Sequence, residues 1–426
     1  MMDKLQALIQ PGDHVWWGQA TAEPRNLTQT LVQHRHQLAQ GGRLGVFVGL
    51  GLSDTLQPEH ADVFDFCGYA ASGPHRALAK AGVLDIIPSH YSHLPGLIEQ
   101  GLIPVDVVLL QVSPSDSKGR YSLGMAQEYL PAALSKARVV IAEVHADVPW
   151  TYGGIYMRAE DFDLLVPGGL PLLNMERSAP GSAEQAIAQH IAQRVEDGSC
   201  LQLGVGNLPE AVLAALRQHR DLGLHSGAIG DGIADLAEAG VLTHARKNID
   251  PGVGTAGILM GGPRLRRWAH SNPYLQLRST DYTHNAQVLA SIDRLVAINS
   301  AIEVDVTGQI NAEVAGGVYM GAVGGAMDFL RGAARSKGGL PIVALPATAK
   351  ANSRIVAQLS GPTSTPRADA GLIVTEYGVA DLRGQTLSRR VRRMVDIAAP
   401  EHREALERQA HSLLRQSGAV FVAQNF

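Results

Sequence analysis

Two tandem open α/β domains with mostly parallel sheets are the fold class that this sequence predicts, on three observations. The chain has 426 residues, and one hydrophobic core rarely extends past roughly 250–300 residues. Short runs that are apolar on both alternating faces recur between helical patterns, as strands of a helix-covered parallel sheet require. The alternation pauses at a proline-bearing stretch and then restarts, which reads as a second α/β unit.

In chain order, Arg43–Leu50 is the first buried run, Val105–Val112 the second and Ala137–Val144 the third. Each is expected to be an interior strand. Gly169–Ser182, with Pro171 and Pro180, marks the boundary, and a division at 178/179 leaves domains 1–178 and 179–426. Ala183–Val195 has helical spacing, with Ile187, Ile191 and Val195 on one stripe and Ser182 in position to cap it. Leu201–Gly206 is a strand ending in glycine, and Leu295–Ile298, Leu340–Leu345 and Leu372–Glu376 are further strands. Val112–Arg120 and Asn299–Gly308 each end a strand in a polar turn, as two copies of one duplicated domain would.

Composition narrows the function. Hydrophobic residues make up 45% of the chain and charged residues 18%, which builds a core and argues against general disorder. A net charge of −4 implies no broad basic face, so nucleic acid is not expected as a partner. An anionic small molecule needs only a local pocket. Cys67 and Cys200 are too few for a disulfide framework and sit in no metal-ligand pattern. Met1–Leu8 lacks the apolar run of a secretory signal. No stretch approaches the roughly 18–20 apolar residues of a membrane span. A cytoplasmic enzyme with no bound metal and no membrane contact is expected.

Four segments carry candidate chemistry. Gly204-Val205-Gly206-Asn207 follows a strand and opens a helix, where free N–H groups favour an anion. Pro209 occupies the last glycine position of a dinucleotide fingerprint, so the segment is either an anion site or a tight turn. Gly316–Phe329 is denser in glycine, and several neighbouring peptide N–H groups there can hold the oxyanion of an acyl-transfer intermediate. The alternative there is a flexible loop, against which the return to regular structure at Phe329-Leu330-Arg331 favours a shaped turn. Thr375–Gly384 puts Glu376 at a strand end, where ligands of open α/β sheets gather; its other reading is a helix-start or salt-bridged residue. His225-Ser226-Gly227 places adjacent side chains on opposite faces, a poor arrangement for a nucleophile–base pair. The basic run Arg389–Arg393 reads as a solvated helix face.

Taken with Gly18–Pro24, Ile87–Tyr91, Val112–Gly124, Asp231–Leu236, Asn299–Asn311 and Ser353–Val356, these segments resemble the acetyl-CoA hydrolase/transferase family along nearly the whole chain. That family includes 4-hydroxybutyrate and succinyl-CoA:acetate CoA-transferases. The resemblance implies two CoA-transferase-like domains, a site between them and a homodimer. It also implies an acyl-CoA and a small carboxylate as substrates, with a coenzyme A thioester as substrate and no permanently bound cofactor. In such enzymes a glutamate attacks the thioester, and an anhydride and then a glutamyl-CoA thioester follow. Carried over, the backbone at Val205, Gly324 and Gly325 is the oxyanion hole, with Gly204 and Gly206 beside it. Asn285 is a polar site residue, Glu376 lies near the CoA thiol, and Ser226 and Gly227 line the substrate.

Gly227 is also the departure. It occupies the apparent position of the nucleophilic glutamate, in His225-Ser226-Gly227-Ala228-Ile229-Gly230-Asp231-Gly232. Glu59, in a loop after a strand of the first domain, is one replacement; its other reading is a helix-start carboxylate. Direct attack by the acceptor carboxylate is a second route, with Gly227 leaving room for that substrate. CoA transfer to a short-chain acid, plausibly a dicarboxylate such as itaconate or succinate, leads. Hydrolysis of acyl-CoA and inactive acyl-CoA binding are the alternatives.

Overall fold

The computed structural model describes residues 2–416. Its frame is two sheets. The first holds β1 (His14–Trp17), β2 (Leu44–Val48), β3 (Phe64–Gly68), β4 (Leu84–Ile86), β5 (Val107–Val112), β6 (Val139–Val144) and β7 (Leu164–Pro167). They lie side by side in the order β4-β3-β2-β1-β5-β6-β7, all parallel. The second holds β8 (Cys200–Leu203), β9 (Gly223–Leu224), β10 (Leu295–Ser300), β11 (Leu340–Ala344), β12 (Leu372–Thr375) and β13 (Gly378–Asp381). Its order is β9-β8-β10-β11-β12-β13, parallel except for the β12–β13 hairpin. Between the sheets, residues 168–181 form no helix or strand.

All the buried apolar runs in the sequence are strands. β1, β3, β4 and β7 escaped that reading because each is short, and Asp65 and Asp85 also interrupt β3 and β4. The helix after the linker spans Ser182–Ala192, but its cap is Gly181, whose extended backbone precedes Ser182 without a side-chain bond. Alternation along each strand splits the core. Val15, Val46, Val107, Leu109, Val139 and Ile141 face one cluster with Leu27 and Leu31. Trp16, Phe47, Val108, Leu110, Val140 and Ala142 face a second cluster, which also contains Leu201, Leu203, Val296, Ile298, Ile342 and Val374 of the other sheet. One continuous core therefore runs through both halves.

Backbone pairing adds to this joint. His90 bridges Gly324, Ala126 bridges Ile258, Glu128 bridges Ser279 and Tyr152 bridges Gln276. The first-half partners all follow the carboxyl ends of β4, β5 or β6, the edge where open parallel sheets collect ligands.

Candidate active site between the two halves

In the second half, three loops leave carboxyl strand ends. After β8, Gly204–Gly206 enters the helix Asn207–Ala215, and Gly206 caps it at φ +115°, which a side chain would strain. The space over Gly204 and Gly206 is open. Val205, the carried-over oxyanion residue, is half-buried between them. After β9 come His225, Ser226 and Gly227. The Ser226 hydroxyl is shared between the carbonyls of Leu203 (2.8 Å) and Ala228 (2.9 Å), which staples this loop to β8. His225 Nε2 lies 3.0 Å from the Thr283 carbonyl, and burial pushes its pKa down to about 4. Neither residue serves the other, as their opposite faces require.

The third loop precedes the helix Ala326–Arg335. Gly324, at φ +57°, accepts a 3.0 Å hydrogen bond from Tyr91 N. Ser92 donates from its backbone (3.1 Å) and hydroxyl (2.7 Å) to Asp328. The glycine segment is thus a shaped turn docked on residues 90–92 of the first half.

His284 joins these loops. A Cβ on Gly227 would fall 2.9 Å from its Cε1, and one on Gly325 would fall 2.5 Å from its Nε2. The ring packs on Tyr91 (5.0 Å between centroids) and Phe329 (4.7 Å), with Nδ1 2.8 Å from the Thr283 hydroxyl. Burial, reinforced by His225, drives its pKa down to about 3, so it is neutral at physiological pH. The expectation that Gly227 leaves room for a substrate is corrected here, because an imidazole fills that space.

The first half contributes a buried polar network. Gln19 Nε2 donates to both oxygens of Glu128 (2.9 and 3.0 Å) and reaches Tyr91 Oη at 3.0 Å. Tyr91 Oη donates to Glu128 Oε1 at 2.9 Å. Gln19 Oε1 accepts from Tyr69 Oη (2.7 Å) and Leu50 N (2.8 Å). Glu128 is 4% exposed. Burial outweighs these hydrogen bonds and lifts its pKa to about 7. A Cβ on Gly257 would sit 2.6 Å from the Gly227 carbonyl oxygen and 3.3 Å from Glu128 Cγ. The Glu128 side chain therefore lies beside the Gly227 loop.

Three sequence-derived assignments change. Glu59 is exposed in the turn Pro58–Asp62 just before β3. Because β2 and β3 are parallel, the chain has returned there to the amino ends of the strands. Glu59 is thus opposite the edge that meets the second half, and it is withdrawn as a nucleophile. Asn285 is exposed and its Oδ1 accepts from Gln287 N (2.9 Å) and Val288 N (3.2 Å), so it caps the helix Ala286–Ser291. Its neighbour His284 points into the site instead. Glu376 does lie at a carboxyl strand end, accepting 2.8 Å from Ala347 N beside Arg354. It is four strand positions from the Gly227 loop, roughly 19 Å at about 4.8 Å per strand, so it does not share the His284 cluster. The basic run is partly tied down, since Arg390 donates to Thr307 and Arg367 carbonyls and Arg393 to that of Asp381.

Sequence reading missed Gln19, Tyr91, Glu128 and His284 as a group. Gln19 and Tyr91 lie in segments that carried the family resemblance, but nothing local links them. The available signal for Glu128 was one acidic residue among Met125, Ala126, Tyr129 and Leu130.

A paired-sheet α/β protein with glycine loops and a desolvated carboxylate at its central edge has the frame of a CoA-transferase-type fold. Residues 2–166 match the acetyl-CoA hydrolase/transferase N-terminal domain, and residues 261–410 match the C-terminal domain. The chain is 36% identical to a 4-hydroxybutyrate coenzyme A transferase of Clostridium kluyveri, covering 95% of each. It is 32% identical to a butyryl-CoA:acetate CoA-transferase of Anaerostipes caccae, over 96% of this chain and 94% of that one. The crystal structure of RipA from Yersinia pestis superimposes with a TM-score of 0.91 at 31% identity, covering 96% of both chains. The chain belongs to the acetyl-CoA hydrolase/transferase family. Among the described residues, no helix is long and apolar enough to cross a membrane.

Proposed function

We propose that this protein is a CoA-transferase that moves coenzyme A between an acyl-CoA and a short-chain carboxylate, with dicarboxylates such as succinate or itaconate among the acceptors. The supporting observation is that similarity to CoA-transferases spans both halves, so it includes every loop around His284. The open glycine turn at Gly204–Gly206 and the docked turn at Gly324–Gly325 supply N–H groups where an acyl oxygen gains charge. We further propose a cytoplasmic homodimer that holds no permanent cofactor. The exposed side chains of Leu102, Tyr274 and Tyr377 are candidates for covered surface in that dimer.

Gly227 favours a second reading. Without the usual glutamate, the acyl group can pass to water or merely be bound. A panel of acetyl-, butyryl- and succinyl-CoA against acetate, butyrate, 4-hydroxybutyrate, succinate and itaconate separates these outcomes. New acyl-CoA species that form only with an acceptor are expected. CoA release independent of any acceptor indicates a hydrolase, and no turnover above background indicates a binder.

A further inference from the structure

We propose that Glu128 is the carboxylate that receives the acyl group, in place of the side chain absent at Gly227; this rests on the CoA-transferase reading. Four features place it there. Its Cγ and the Gly227 carbonyl both border the one position a Gly257 side chain would occupy. Its partner Tyr91 holds Gly324 through the backbone and lies beside Gly325, since a Cβ there would come 3.6 Å from Tyr91 Cβ. Glu128 is thus linked to both candidate acyl-binding loops.

The second feature is its company. Several other buried carboxylates of this chain serve the backbone, although Glu23 and Glu313, like Glu128, meet only neutral side chains. Glu143 accepts from Leu27 N at a helix start, Asp231 from Gly262 N and Leu265 N, and Asp305 from Thr307 N and Gln309 N. Among the described residues, the Glu128 carboxylate is met by Gln19 and Tyr91 alone, two neutral side chains. No helix end or turn depends on it.

The third feature is backbone conformation. Glu128 has φ +43°, and Ala20, next to Gln19, has φ +50°. Neither is glycine, and non-glycine residues held in this strained region cluster at functional sites. Glu128 itself and the residue that follows its partner Gln19 are therefore held in unfavourable backbone. The fourth feature is ionisation. Tyr69, Tyr91 and Tyr129, the titratable groups facing Glu128, are all raised by burial and stay neutral. His284, against Tyr91, is neutral too. Glu128 alone in this group changes charge near neutrality.

The steps balance without an added reactant. A Glu128 oxygen attacks the acyl carbonyl carbon, the carbon–sulfur bond breaks, and CoA departs as thiolate, leaving a mixed anhydride on Glu128. The thiolate then attacks the glutamyl carbonyl carbon, and the donor acid departs as carboxylate. The acceptor carboxylate repeats both steps in reverse, forming the new acyl-CoA and restoring Glu128. No net proton or electron is exchanged.

The test treats the intact protein with acetyl-, butyryl- or succinyl-CoA alone, reduces it with borohydride, and maps peptides by mass spectrometry. Reduction of a glutamyl-CoA thioester to an alcohol on the peptide containing Glu128 is expected. Glu128→Gln should lose the adduct and lower turnover on the order of 10⁴-fold or more, while Glu59→Gln leaves turnover unchanged. Wild-type kcat/KM should climb with pH to a plateau above about 7, where the carboxylate is ionised. Should Glu128→Gln fail to fold, the wild-type adduct decides alone. An adduct on another residue overturns the proposal. Transfer that requires both substrates and leaves no adduct also overturns it, in favour of direct attack, while the transferase reading stands. Absence of any CoA exchange removes both.

Discussion

The two halves share a plan and divide the chemistry. In each, the second strand lies on one side of the first and three later strands follow on the other, β2-β1-β5-β6-β7 against β9-β8-β10-β11-β12, and the first half adds β3 and β4 beyond β2. The likeness extends to one turn. Asp116 Oδ1 accepts from Lys118 N and Arg120 N, and Asp305 Oδ1 accepts from Thr307 N and Gln309 N. Gly119 (φ +71°) and Gly308 (φ +100°) close the two turns. This is the internal echo legible in the sequence. The difference lies at the carboxyl edges. The first half presents Gln19, Tyr91 and Glu128, side chains buried together; the second presents glycines, whose use is bare backbone. In the proposed reaction, one plan thus supplies a carboxylate on one side and N–H donors on the other.

The strongest test of this division is Gly325→Ala. Gly325 has φ −92°, so the backbone tolerates a side chain, and the damage must come from contact with His284. If that contact shifts the Gly325 N–H off the acyl oxygen, turnover is expected to fall by up to roughly 10²–10³-fold, the range for an oxyanion donor lost outright. Near-normal kcat in the folded variant would take the acyl oxygen away from this loop.

The paired turns permit a second comparison. Asp305 is buried, so Asp305→Ala strands backbone N–H groups and should cost about 1–3 kcal/mol in denaturant unfolding. Asp116 is more open, and water replaces much of what its side chain provides. Asp116→Ala should cost less. Equal losses would show that burial does not distinguish the copies.

Glu143 gives a smaller, pH-dependent effect on the first half. Burial lifts its pKa from 4.5 to about 7. The unfolded carboxyl ionises first as pH rises, so stability falls between about pH 4.5 and 7. Glu143→Gln keeps an acceptor for Leu27 N but removes the titration. Its Tm relative to wild type should rise across that window and stay raised at pH 8. A difference that is flat with pH would contradict this.

Asn285→Ala should produce the smallest change, about 1 kcal/mol for a lost helix cap, with turnover retained. Collapse of activity would return Asn285 to the site.

What the sequence could disclose was set by locality. Val105–Val112 and Ala137–Val144 are apolar on both faces, and that alone makes them interior strands. The glycine segments announced themselves because their composition is unusual within a few residues. Gln19, Tyr91 and Glu128 carry no such mark, since they are 72 and 37 positions apart along the chain. Glu59 misled because its residue type and loop suited a nucleophile, while its end of the sheet depends on strand direction.

By itself, then, the sequence determined the α/β class, the restart of the pattern, the duplicated turn and the family, since each rests on short-range periodicity or ordered motifs. Tertiary structure alone decided that the sheets share one core, that His284 occupies the space over Gly227, and that a buried carboxylate stands beside it. Those facts depend on which strand ends meet across the interface and on the desolvation that follows. Burial by distant residues, not local composition, lifts the Glu128 pKa and makes it the carboxylate to test.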